Sequence, residues 1–143
     1  MLVDANLVLW AHHRSFAEHE HARAWWAATL SEAPFVGVPW PTSLAFLRVS
    51  THPRALERPL ALEQAWSVVQ GWLERSNVHC PVPGPQHEQI LGEMLVRARA
   101  TGNHTSDAHL AALAIEWGLE LCSSDRDFAR YPGLRWRDPL SPE

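Results

Sequence analysis

Short apolar segments of strand type alternate along this chain with longer segments of helical period, and that alternation constrains its fold more than any other feature. Met1–Val3, Phe35–Val38, Val78–Val82, Glu120–Ser123 and Leu134–Trp136 read as strands. Between them lie a brief helical turn over Leu7–Ala11 and helices over Glu18–Leu30, Thr42–Thr51, Leu62–Arg75, Gln86–Thr101 and Ser106–Trp117. A short helix is predicted over Asp127–Arg130. Ala22, Trp25, Trp26, Thr29 and Leu30 form one helical stripe; Ala65, Trp66, Val69, Trp72 and Leu73 form another. Strands separated by helical crossovers pair in parallel, and helices then cover both faces. The expected fold is α/β: a three-layer α/β/α sandwich around a mostly parallel sheet.

A chain of 143 residues holds one such domain, expected over residues 1–143, and needs no metal or disulfide staple to fold. The longest unbroken apolar run is only Leu110–Ile115, so no membrane span is expected. Two cysteines, Cys80 and Cys122, form no disulfide framework and suit a reducing, cytoplasmic setting.

All 12 basic residues are arginine. A chain without lysine runs no Schiff-base chemistry and carries no P-loop. The net charge of −4 argues against a general polyanion binder. Only five aspartates occur, and four of them fall at the ends of predicted elements: Asp4, Asp107, Asp125 and Asp127. Strands of a parallel sheet point their carboxyl ends at one edge, where ligands bind. Asp4 ends the first strand there, and Asp125 and Asp127 follow the fourth. Asp107 opens the helix that runs back antiparallel to that fourth strand, so it starts at the same edge. Four carboxylates crowded on one rim repel one another and require protons or hard cations to coexist. Mg²⁺ or Mn²⁺ suits such an oxygen-only donor set. Without these four acids, the remaining twelve balance the 12 arginines, so the negative charge belongs to the rim.

Each acid also has a plainer reading. Asp4 caps the following helical turn, Asp107 complements a helix dipole, and one of Asp125 and Asp127 caps the short helix after it. The nine histidines show no zinc spacing. His109 sits beside the rim in sequence, but no further residue supports a phosphate contact there, and most of the histidines read as surface or partly buried polar groups. Arg48, Arg126 and Arg130 are placed to hold phosphates, although surface ion pairs explain them equally well.

Val3-Asp4-Ala5-Asn6, the Asp107-to-Ala114 helix start and Ser124-Asp125-Arg126-Asp127-Phe128 resemble the motifs of PIN-domain ribonucleases. Their order and spacing resemble the VapC toxins of bacterial toxin–antitoxin pairs. Phe46–Pro53 and Tyr131–Trp136 are similar to one actinobacterial branch. The resemblance implies a PIN-like fold and a metal-dependent endoribonuclease. In it Asp4, Asp107 and Asp125 would bind Mg²⁺ or Mn²⁺, with Asp127 as a fourth catalytic acid and Arg48, Ser124 and Arg126 near the substrate. It further implies a VapB-type antitoxin, an RNA substrate (a transfer RNA or a ribosomal RNA loop) and a homodimer. One departure stands out. The family usually carries glutamate three residues before the arginine of the third helix, and here that position is Ala45. The alternative reading is therefore a catalytically degenerate PIN domain that binds RNA or antitoxin without cutting. A haloacid-dehalogenase-type phosphatase is excluded by Asn6, where a second aspartate would stand, and by the missing lysine.

Overall fold

The computed structural model describes residues 1–142. Its elements run β1 (Leu2–Val3), α1 (Ala5–His12), α2 (His19–Glu32), β2 (Val36–Gly37), α3 (Trp40–Ser50), α4 (Leu62–Leu73), β3 (Val78–His79), α5 (His87–Arg97), α6 (His104–Glu116), β4 (Leu121–Cys122), a 3₁₀ turn (Arg126–Arg130) and β5 (Trp136–Arg137). The strands form one sheet in the order β3-β2-β1-β4-β5, and every pairing is parallel.

Strand alternation splits the apolar residues between the two faces. Val3 and Cys122 join the core beneath α1, α2, α3 and α4, whereas Leu2 and Leu121 join the core beneath α5 and α6. Helices thus cover both faces, giving three layers. Phe46, Trp26 and Trp72 knit the first core, with Phe46 and Trp72 rings 4.8 Å apart. Trp66 departs from the expected stripe, being 39% exposed, whereas Trp72 is buried.

Several boundaries moved for identifiable reasons. The first helix starts at Ala5 rather than Leu7, because the Asp4 side chain caps it at once. α3 starts at Trp40 with Pro39 as its cap and Pro41 in its first turn, where no N–H is missed. α5 ends at Arg97 rather than Thr101, since Arg99 takes φ 51° and turns the chain out of the helix. The last strand starts at Trp136 rather than Leu134, because the Leu134 N–H is used by Tyr131 in the preceding turn. No helix among the described residues is long and apolar enough to cross a membrane.

Candidate active site

The sheet register decides what meets at the rim. Val3 pairs with Cys122, so the next residues along each strand, Asp4 and Ser123, come out side by side. Asp4 ends the central strand and caps α1. One of its oxygens, Oδ1, accepts the Ala5 N–H at 2.7 Å; the other, Oδ2, accepts the Ser123 hydroxyl at 2.7 Å. Burial pushes its pKa from 3.8 up to about 6, against the two hydrogen bonds; Asp107 and Asp125 push it further the same way. The Ser123 oxygen accepts the Asn6 amide at 3.2 Å and the Asp125 N–H at 3.0 Å. A single buried hydroxyl therefore ties together the loop ends that carry Asp4 and Asp125.

Asp125 is the cap of the 3₁₀ turn, and its Oδ1 accepts the Asp127 N–H at 2.9 Å. Asp107 lies in the first turn of α6 with its Oδ2 3.3 Å from His104 Nδ1. Burial raises its pKa, opposed by His104, and repulsion from Asp125 adds to the rise. Asp127 is more exposed, 3.9 Å from His104 and 3.7 Å from Arg130. Tyr131, pushed to about 12 by burial and then by Asp107, donates its hydroxyl to the His104 carbonyl and braces the start of α6.

The structure thus brings the four sequence-picked acids to one rim and into mutual repulsion. Among the described residues, however, no group of three or more His, Cys, Asp and Glu side chains is placed closely enough to hold a metal ion. The donor chemistry still fits a hard cation. Asp4 and Asp125 have no cationic partner among the described residues, and the only basic side chain within ion-pairing distance of Asp107 is His104. Asn6 Oδ1, next to Ser123, is buried without a hydrogen-bond partner. Like charges set close together with an orphaned acceptor beside them are an arrangement that a divalent cation relieves.

Other residues picked from sequence sit differently. Arg48 and Arg126 are exposed and have no ion-pair partner among the described residues. The Ser124 hydroxyl is spent on Asp138, 2.6 Å away, which also accepts the Leu140 N–H and the Ser141 hydroxyl. His109 lies two residues after Asp107 and so turns away from the rim. Its Nδ1 is 3.0 Å from His87 Nε2, inside the α5–α6 packing, which fits a partly buried polar group. Ala45 is half-buried and packs against the first apolar core. Ser123, Asn6 and His104 had been given no role at the rim. Only the Asp4-x-Asn6 spacing hinted at Asn6, and nothing local marks Ser123, whose role arises from strand register.

Together, an all-parallel five-stranded sheet under two helical layers and an acidic rim at its carboxyl edge define a PIN domain. The PIN-domain family matches residues 1–134, and the chain is a PIN-domain protein. Ribonuclease VapC33 of Mycobacterium tuberculosis is 38% identical over 140 residues, 98% of each chain, so this protein belongs to the VapC branch of the family. Among solved structures, the fold resembles a DNA-bound VapBC from Salmonella typhimurium, with a TM-score of 0.66, 23% identity and 96% of each chain covered. It also resembles Mycobacterium tuberculosis VapC20, a sarcin–ricin loop cleaving toxin. There the TM-score is 0.62 and identity 21%, over 94% of this chain and 98% of that one.

Proposed function

We propose that this protein is a divalent-metal-dependent endoribonuclease, the toxin of a type II VapBC pair, held by a VapB-type antitoxin and working as a homodimer. The observation that carries the reading is the set of Asp4, Asp107 and Asp125. Three separate segments supply them, they repel one another, and Asp4 and Asp125 have no cationic partner among the described residues. The names of its relatives support ribonuclease activity, and the VapBC likeness supports the antitoxin.

Asp4, Asp107 and Asp125 are the residues that would hold Mg²⁺ or Mn²⁺, with Asp127 beside them. When bound, such an ion makes water a better nucleophile and offsets charge building up on a phosphodiester. The chain supplies position. Ser123 and the Ala5 N–H fix both oxygens of Asp4, and the Asp127 N–H fixes one oxygen of Asp125. Preset carboxylates need little reorganisation when charge develops. Arg48 and Arg126 are free to meet RNA phosphates as guanidiniums do. The substrate reading is a structured cellular RNA, a transfer RNA or a ribosomal RNA loop.

Cleavage of total RNA with mapping of new 5′ ends tests this reading: discrete cuts in Mg²⁺ or Mn²⁺ and none in EDTA are expected. Ala45, set against the apolar core where family members carry an acid, favours a second reading as a degenerate binder. RNA binding with no cut under any metal would select that reading.

A further inference from the structure

One cavity of the molecule lies away from the acid rim. It measures about 450 Å³ and opens between the α1–α2 turn and the α3–α4 loop. Asp4 caps the start of α1, so this cavity, at the far end of that helix, lies about 12 Å along it from the acids. Its size falls within the roughly 300–1,000 Å³ of small-molecule sites.

The walls are built rather than loose. The Leu60 N–H donates to the Ser50 carbonyl at 2.7 Å, and the Ser50 hydroxyl lies 2.8 Å from His13 Nε2. Ser50 thereby holds the α3–α4 loop and the α1 end in fixed relation. The floor is aromatic and neutral. His12 Nδ1–H donates to the Val8 carbonyl at 2.8 Å, since a carbonyl only accepts, and its ring packs on Phe46 and Trp72. Burial keeps both His12 and His13 below the usual histidine range, so neither carries charge at neutral pH.

Charge enters at the mouth. Arg14 and Arg58 are exposed, line the cavity and have no carboxylate within ion-pairing distance among the described residues. Guanidiniums without carboxylate partners are suited to phosphate, which they hold by charge-assisted hydrogen bonds. Glu57 lines the same cavity and accepts hydrogen bonds from hydroxyl or amino groups, while the buried Leu56 offers apolar surface. Bare phosphate uses neither of the last two. A nucleotide uses all of them: phosphate on the arginines, ribose hydroxyls or a base amino group on Glu57, and a base face on leucine and imidazole.

We propose that this cavity binds a nucleotide through its phosphate, as a site separate from the acid rim. The nucleotide is either free or part of an RNA strand. The site does not depend on RNA cleavage: a protein that bound nucleotides here and cut nothing would still satisfy it.

Calorimetry on the full chain tests it with adenosine 5′-monophosphate, adenosine and inorganic phosphate. The monophosphate is expected to bind one per chain and at least tenfold tighter than either fragment. The pair Arg14→Gln and Arg58→Gln is expected to weaken it at least tenfold. Both side chains are exposed, so an unchanged circular dichroism melt keeps that result interpretable. A second arm measures an RNA oligonucleotide in EDTA against salt. If the site serves the strand, the double variant weakens RNA binding and lowers the salt slope by about 1 to 2. Monophosphate binding lost with RNA binding unchanged assigns the site to free nucleotide. No monophosphate binding together with an unchanged RNA salt slope overturns the proposal.

Discussion

The Ser123 hydroxyl stands 2.7 Å from Asp4 Oδ2 and, through the same oxygen, receives the Asp125 N–H at 3.0 Å. One buried hydroxyl therefore couples the ends of two neighbouring central strands, and each end carries a candidate metal ligand. Ser123→Ala leaves the Asp125 N–H and the Asn6 amide without their acceptor. It is expected to cost about 1–3 kcal/mol in urea denaturation. The Asp4 pKa should also rise further, because a hydrogen bond to its charged form is lost; carboxyl NMR titration reads that shift.

Asp4 gives the metal-free protein a pH dependence of defined sign. Its folded-state pKa, about 6, lies above its ordinary 3.8, so the folded state binds the proton more tightly. Stability is then fully present below about pH 4 and is lost as pH rises through 6. The part due to Asp4 is on the order of 3 kcal/mol. Asp4→Asn retains a capping side chain and should flatten the profile between pH 4 and 7. It should also remove RNA cleavage. Urea midpoints across that range in EDTA check the first expectation.

Divalent cations are expected to reverse that loss. Mn²⁺ at a hundred times its dissociation constant should stabilise the wild type by about 2.7 kcal/mol at pH 7.5. Asp107→Asn removes one repelling charge from the rim, so its metal-free melting temperature should equal or exceed the wild type. It should gain far less from Mn²⁺. An Asp107→Asn protein that fails to fold would show instead that Asp107 acts chiefly at the helix terminus.

Gly84 tests the packing of the second helical layer. Glu116 accepts the Gly84 and Gln86 N–H groups, each at 3.1 Å, and stands 3.3 Å from His87. A Cβ at Gly84 would lie 2.5 Å from a Glu116 oxygen that these contacts hold in place. Gly84→Ala is expected to destabilise by about 1–3 kcal/mol with no change in metal affinity. Thermal melts and Mn²⁺ titration of the variant check both parts.

The layer order and the rim were legible because they rest on local signals: apolar periodicity and aspartates at element ends. Parallel pairing then carried Asp4, Asp107 and Asp125 to one edge without any knowledge of contacts. Ser123 was not legible, because its role depends on the pairing of Val3 with Cys122, residues more than a hundred positions apart. The surroundings of His109 were not legible for a related reason. Closeness to Asp107 in sequence suggested closeness in space, yet two residues along a helix reverse the direction of a side chain. Ser124 stands in the resembling motif, but Asp138, beyond that motif, claims its hydroxyl.

The acid rim is expected to cut RNA only when it holds a divalent cation. The most direct measurement is 5′-end sequencing of total RNA treated with purified wild type and Asp107→Asn, each in Mg²⁺, in Mn²⁺ and in EDTA. The expected result is a small set of new ends from wild type with metal, and none from wild type in EDTA or from Asp107→Asn in any buffer. The same ends appearing undiminished in EDTA, or from Asp107→Asn, would contradict it.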